Sequence, residues 1–204
     1  MPLELYITFL AAVVLLGLTP GPMFALLIAN SMAFGVQAGL RTLAGSILGL
    51  SLLVFSIILG LNSIVQFMAD WFAWIKLAGA VYLIWLGFTK LRTPVTDVDA
   101  VPVSDKKRRF FTQGLAVSVS NPKVLLFLAA FLPQFLSPAY DVQLQLAVYG
   151  ASFVIIVATI DFICVLATDR TRLLLSQSKR TMFNKVGGLA LMFGGVWLLF
   201  SRRN

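Results

Sequence analysis

Six apolar segments alternate with short polar breaks along this chain of 204 residues. Most are about 20 residues long or longer, the length that an α-helix needs to cross about 30 Å of hydrocarbon. The pattern predicts an all-α membrane protein with six transmembrane helices in a single integral membrane domain, residues 1–204. The segments cover roughly residues 5–34, 43–67, 71–91, 111–136, 144–168 and 182–200.

Composition supports this prediction and excludes several classes of protein. Hydrophobic residues make up 59% of the chain and charged residues 12%, against roughly 25% charged residues in a soluble domain. A soluble enzyme, a disordered chain and a nucleic-acid-binding domain are therefore excluded, despite the net charge of +8. The chain has no histidine and only Cys164, so neither an imidazole-based metal site nor an internal disulfide is expected.

The distribution of Lys and Arg predicts the orientation of the chain in the membrane. Cytoplasmic loops of membrane proteins carry an excess of these residues. One set of loops holds 12 of them and the opposite set holds 3, while Lys123 lies within a span. The bias predicts six spans with both termini outside the cytoplasm. The 12 are Arg41, Lys90, Arg92, Lys106, Lys107, Arg108, Arg109, Arg170, Arg172, Lys179, Arg180 and Lys185, and the 3 are Lys76, Arg202 and Arg203.

The two halves of the chain are predicted to form an inverted 3+3 repeat. The first repeat covers residues 1–92, a cytoplasmic loop covers 93–109, and the second repeat covers 110–204. Each repeat begins with a span that proline interrupts, and paired interruptions of this kind indicate the binding site of a transporter. Freed backbone groups must line protein or a polar cavity, because lipid cannot satisfy them. The alternative is a pair of ordinary proline kinks. The predicted substrate-binding or gating residues are Pro20, Gly21, Pro22, Asn121, Pro122 and Lys123.

Two charged residues are predicted to lie inside spans. Lys123 lies about 12 residues into the fourth span, close to the middle of the bilayer. Asp161 is the only carboxylate well inside a span. Intramembrane charges are functional candidates because lipid penalises them. Lys123 would hold a substrate carboxylate or tune the proton affinity of Asp161, which is the candidate for proton coupling. The alternatives are a structural salt bridge or a lysine that extends to the membrane surface.

Small residues recur around the first cytoplasmic turn, including the pair Gly45 and Gly49 at a spacing of four. Such spacing lets two helices approach closely. We expect packing within the chain, and a homodimer face is the alternative.

The chain resembles the LysE/RhtB family of amino-acid exporters along nearly its whole length. The motifs that carry the resemblance are Pro20-Gly21-Pro22 with Gly35, Gly39, Gly45 and Gly49; residues 76–83 (KLAGAVYL) with Gly87; Gly114, Asn121-Pro122-Lys123, Phe127 and Pro133-Gln134-Phe135; and residues 184–188 (NKVGG). The resemblance implies a secondary exporter of amino acids or their derivatives, driven by proton exchange. The family often has Asn where Met23 stands, and this departure suggests a more apolar substrate.

Other functions receive less support from the residues. A cation or small-solute channel, or a resistance protein, is the main alternative, although only one intramembrane carboxylate is available to bind a cation. A membrane enzyme or thiol-redox carrier is disfavoured, because one cysteine cannot form a dithiol relay. No G-x-x-x-x-G-K-[ST] loop is present, which excludes ATP-driven pumping by this chain alone. No cofactor or metal is expected.

The predicted topology can be tested with reporter fusions. Fusions at Asp99 and Ser176 should report a cytoplasmic location and a fusion at Asn204 a periplasmic one, because the first two follow odd-numbered crossings. A cytoplasmic signal at Asn204 would contradict both the orientation and the inverted repeat.

Overall fold

A computed structural model describes residues 2–60, 77, 80–92, 103–173 and 177–200, and the regular elements in these ranges are all helical. The predicted third span lies largely outside these residues, as do residues 93–102 of the predicted cytoplasmic loop. The helices are α1 (Leu3–Leu18), α2 (Pro22–Phe34), α3 (Val36–Gly60), α4 (residues 80–92), α5 (Val103–Val119), α6 (Pro122–Leu126), α7 (Val142–Leu173) and α8 (Gln177–Phe200).

The first apolar segment breaks at its prolines. Thr19 is extended (φ −70°, ψ 122°), as the residue before a proline usually is. Gly21 is also extended (φ −151°, ψ −176°), and Pro22 begins α2, where its missing N–H leaves no helical bond unmade. The helices on either side of the break, α1 and α2, form an angle of 50°. The predicted interruption of the first helix is confirmed.

The second predicted interruption is also confirmed. α5 ends at Val119 and α6 begins at Pro122, with Asn121 extended between them (φ −72°, ψ 110°). The Asn121 side chain accepts a hydrogen bond from the Lys123 backbone N–H at 3.1 Å and so caps α6. The chain then continues through a π-helical turn, Phe127–Phe131, and a 3₁₀ turn, Leu132–Phe135.

Most of the predicted spans have counterparts among the described residues. By length and apolar composition, Val36–Leu59, Arg109–Phe135 and Val142–Thr171 could each cross a membrane, and the bent pair α1–α2 could form a fourth span. The apolar stretch Lys185–Gly194 within α8 is shorter. The chain is therefore a multi-pass membrane protein whose described regular elements are all helical, whereas six spans in an inverted repeat remain a prediction.

Several helix boundaries differ from the sequence-based ones. α3 begins at Val36 rather than near residue 43, because Gly35 adopts φ 86° and lets the chain turn directly from α2 into α3. α5 begins at Val103, so the last residues of the predicted loop are helical. α7 continues to Leu173, beyond the predicted end of its apolar segment.

Glycines allow α3 and α5 to pack with their backbones in contact. A Cβ atom at Gly45 would overlap the carbonyl oxygen of Phe111, and one at Gly114 would overlap that of Thr42. At Gly49 a Cβ would lie 3.0 Å from the Cβ of Ser118. The small-residue pair Gly45 and Gly49 therefore serves packing within the chain. This contact fixes the relative positions of the two helices that border the site described below.

We expect Gly114→Val to destabilise the protein strongly, since the overlapping atom belongs to the backbone and cannot move away alone. Overpacking of this kind costs about 1–3 kcal/mol or more. The measurement is unfolding of the purified protein in detergent, with the exposed position Ala151 changed to Val as the control. Equal stability of the two variants would contradict the close approach of α3 and α5.

Candidate functional site

The two broken segments meet at a cavity of about 30 Å³. This volume is close to the space that one water molecule occupies. Leu16, Gly17, Met23, Phe24, Leu50, Val124 and Val157 form the apolar part of its wall. The remaining lining residues, Gly21, Ser46, Ser118, Asn121, Lys123 and Asp161, come from both breaks and from α3, α5 and α7. The structure thus brings together four of the predicted residues: Gly21, Asn121, Lys123 and Asp161.

The Lys123 side chain links the second break to the first. Its Nζ donates hydrogen bonds to the carbonyl oxygens of Leu16 at 2.6 Å and Thr19 at 2.7 Å. Leu16 lies in the last turn of α1 and Thr19 is its C-cap residue. Carbonyl groups at a helix C-terminus carry partial negative charge and can accept further donors, and the Leu16 carbonyl oxygen also accepts the Thr19 N–H at 3.2 Å. Lys123 therefore acts as a C-terminal cap for α1. These two contacts hold the Lys123 ammonium against the end of α1.

Asp161 lies deep in the same cavity and is only 5% exposed. Within the part of the chain that the structure describes, its Oδ2 atom is buried and accepts no hydrogen bond. The ammonium of Lys123 is directed at the α1 carbonyls instead. The cavity therefore contains a cation that is held by the backbone and a carboxylate oxygen that has no hydrogen-bond donor.

An open groove of about 650 Å³ adjoins the cavity. Gly21, Phe24 and Lys123 line both spaces, so they form the partition between them. The predicted residues Pro20, Pro22 and Pro122 line the groove rather than the cavity. The other lining residues are Phe24, Ala25, Ile28, Val186, Gly187, Ala190, Phe193 and Gly194, from α2 and α8. The groove is almost entirely apolar apart from Lys123.

A second buried polar cluster escaped the sequence analysis. Lys90 Nζ donates to Asn30 Oδ1 at 2.7 Å, and Asn30 Nδ2 donates to Thr42 Oγ1 at 2.8 Å and Gln113 Oε1 at 3.2 Å. Together the four residues connect α2, α3, α4 and α5. The sequence analysis counted Lys90 as a loop charge, but the structure leaves it only 6% exposed. The available signal was Asn30, a lone amide within the first apolar segment.

Smaller polar contacts complete the site. Ser118 Oγ donates to the Ser46 carbonyl oxygen at 3.2 Å and joins α5 to α3 beside the cavity. Cys164 is a free, half-buried thiol on α7. Among the described residues, no group of three or more His, Cys, Asp or Glu side chains could hold a metal ion.

Fold and site together define a class of protein. The chain is a multi-pass helical membrane protein in which two proline-interrupted helices enclose a polar cavity. Interrupted helices that surround a buried polar site are typical of membrane transporters.

Comparison with known proteins identifies the family. The sequence model of the LysE type translocator family matches residues 14–202. The chain belongs to this family, which confirms the resemblance seen in its motifs, and it is a transporter rather than an enzyme.

Relatives of the chain include proteins named for efflux. A homoserine/homoserine lactone efflux protein of Salmonella typhimurium is 29% identical over 76% of this chain and 76% of its own length. A leucine efflux protein of Klebsiella pneumoniae is 30% identical over 78% of this chain and 73% of its own length. An uncharacterized membrane protein of Vibrio cholerae is 30% identical over 97% and 98%. No solved structure matches the chain significantly.

The second polar cluster generates a stability prediction. Asn30→Leu should destabilise the protein by about 1–3 kcal/mol, because it removes an acceptor from the Lys90 ammonium and leaves buried groups of Thr42 and Gln113 with fewer partners. The measurement is unfolding in detergent. Gln37→Leu is the matched control, since Gln37 is exposed and bonds only the surface residue Arg41. Equal stability of the two variants would refute a structural role for the cluster.

Proposed function

We propose that the protein is a secondary active exporter of amino acids or amino-acid derivatives across the bacterial inner membrane, working by proton antiport with alternating access. The observation that carries the proposal is the central cavity, where two interrupted helices enclose Lys123 and a buried carboxylate without a donor. The names of the homoserine/homoserine lactone and leucine efflux relatives support the substrate class.

The interrupted segments are proposed to bind substrate and to act as the gate. Two helices end and two begin at these breaks, which contain or border Pro20, Gly21, Pro22, Asn121 and Pro122. The breaks can therefore change angle without disrupting long helices. The Lys123 contacts to Leu16 and Thr19 link the breaks. Substrate that draws Lys123 away from these carbonyls would release one break from the other.

Asp161 is proposed to carry the coupling proton. A charged carboxylate in an apolar surrounding needs a donor, a cation or a proton to offset the loss of water. Since its Oδ2 has no donor within the described chain, a proton or a cationic group of the substrate can serve this purpose. Proton exchange at this position would link the proton gradient to the state of the cavity.

The overall arrangement is proposed to be six spans in two inverted repeats of three, with both termini in the periplasm. The two confirmed breaks at corresponding places support this arrangement. A homodimer is compatible with it but has no support from the glycines at α3, which pack against α5. A cation channel is the weaker candidate, because the cavity holds the Lys123 ammonium, which repels cations.

The transport experiment uses purified protein in liposomes preloaded with L-leucine or L-homoserine. We expect a pH gradient across the membrane to accelerate efflux from wild-type liposomes. Asp161→Asn should abolish this acceleration and leave substrate exchange partly intact, because the amide keeps the size of the carboxyl group but cannot titrate. Glu4→Gln, which neutralises an exposed carboxylate, is the control. Gradient-driven efflux by Asp161→Asn would rule out this coupling role.

Lys123→Met should lower the affinity for substrate and so raise the half-saturating substrate concentration. Lys185→Met, at an exposed position, is the control.

A purely structural pair of charges, Lys123 and Asp161, predicts another pattern. Each single change would then lower the yield of folded protein, and the double change Asp161→Asn with Lys123→Met would restore yield and export. Restored export would reject the proposed roles.

A further inference from the structure

The start of α2 differs from the start of α6 in a way that points to a ligand. Asn121 caps α6 with its side chain, whereas the corresponding residue of α2 is Gly21, which offers no side-chain cap. The first hydrogen bond of α2 runs from Ala25 N to Gly21 O. The N–H groups of Met23 and Phe24 therefore precede the intrahelical bonds, and both residues line the cavity.

Such a helix start favours a negatively charged group, because its free N–H groups and the helix dipole both attract anions. The Lys123 ammonium lines the same cavity, and a Cβ atom at Gly21 would lie 3.7 Å from it. The start of α2 and Lys123 together form the positive side of the cavity. A carboxylate is the anion of matching size that an amino acid carries.

The second, independent observation is the orphan oxygen of Asp161. This side chain is only 5% exposed and lines the cavity together with Gly21. Its Oδ2 atom has no hydrogen-bond donor in the described chain. It forms the negative side of the cavity. The charged or titratable groups that interact with it are Lys123 from α6 and Cys164 from its own helix.

Opposite charges on the walls of one small cavity match a zwitterion, in which an ammonium and a carboxylate are attached to the same carbon atom. The present cavity is too small for such a molecule. Movement of the Lys123 side chain would join the cavity to the apolar groove, since Lys123 and Gly21 line both. The substrate side chain would then lie among Phe24, Ile28 and Phe193.

Resting on the proposed function, we infer that the site selects free, zwitterionic α-amino acids with apolar side chains. The start of α2 and Lys123 bind the carboxylate, Asp161 binds the ammonium, and the groove between α2 and α8 holds the side chain. The ammonium and the coupling proton compete for Asp161, so one proton is exchanged for each amino acid. Because the zwitterion has no net charge, each cycle moves one positive charge inward.

The test compares ligands on the wild-type protein, so that folding of a variant does not decide it. Binding of L-leucine, leucinamide, N-acetyl-L-leucine, glycine and L-homoserine is measured on purified protein in liposomes. Leucinamide lacks the carboxylate and N-acetyl-leucine lacks the ammonium. Each should bind about ten- to hundred-fold more weakly than leucine, the effect expected for loss of a hydrogen bond to a charged group. Glycine should bind at least about ten-fold more weakly, and homoserine should fall between them.

Variants then assign each side of the cavity. Asp161→Asn should weaken binding of leucine and leucinamide but leave N-acetyl-leucine unchanged, since that ligand has no ammonium. Lys123→Met should weaken leucine and N-acetyl-leucine but leave leucinamide unchanged. A merely structural effect would reduce binding of all ligands equally. Glu4→Gln and Lys185→Met serve as matched controls, because both positions are exposed.

Each remaining outcome has a distinct meaning. Equal binding of leucine and its two derivatives overturns the zwitterion site while leaving amino-acid export intact. Equal binding of leucine and glycine overturns the side-chain assignment and leaves the groove to lipid or a second copy of the chain. If the wild-type protein binds and exports none of these compounds, the proposed function itself fails.

Discussion

The structure depends on one constraint: backbone groups that proline frees from a helix cannot be left facing lipid. At the first break α1 ends, and the Lys123 ammonium donates to the carbonyl oxygens of Leu16 and Thr19. The Leu16 carbonyl also accepts the Thr19 N–H at 3.2 Å. The interaction gives the carbonyl groups at the end of α1 a hydrogen-bond donor and gives the Lys123 ammonium two acceptors. It also requires that the second break lie against the first, so the local chemistry of two turns determines how the helices around the cavity are arranged.

The frame around this contact is built from two further features. Glycines bring the backbones of α3 and α5 together, which places Ser46 and Ser118 beside the cavity. The Asn30 amide forms hydrogen bonds to α3, α4 and α5, and so holds α2 at a fixed position relative to them. The side chains of Asn30, Lys90 and Ser118 have hydrogen-bond partners. Within the described chain, Asp161 Oδ2 and Ser31 Oγ are buried without one, and of these two only Asp161 lines the cavity.

The local parts of the fold were predictable from sequence, whereas the tertiary partners were not. Both helix interruptions follow from proline geometry, and the intramembrane position of Lys123 follows from counting residues along an apolar segment. The partner of Lys123 could not be inferred in this way, because a carboxylate on another helix is a more obvious partner than two carbonyl groups. Lys90 shows the same limit. A lysine at the end of an apolar segment matches a loop charge in sequence, and only packing against Asn30 reveals its burial.

The two breaks are capped unequally. The Asn121 side chain accepts the Lys123 backbone N–H at the start of α6, so that break needs no ligand to cap its helix. Gly21 leaves the start of α2 without a side-chain cap, beside a carboxylate that also lacks a donor.

Closing the cavity without a proton or an ammonium would bury an uncompensated negative charge, which is strongly unfavourable. Under the proposed mechanism the same energetic penalty disfavours the change between the inward-facing and outward-facing states while Asp161 is charged and no substrate is bound. Coupling between proton and substrate transport then follows from the desolvation cost of the Asp161 carboxylate alone, and no further gating element is required.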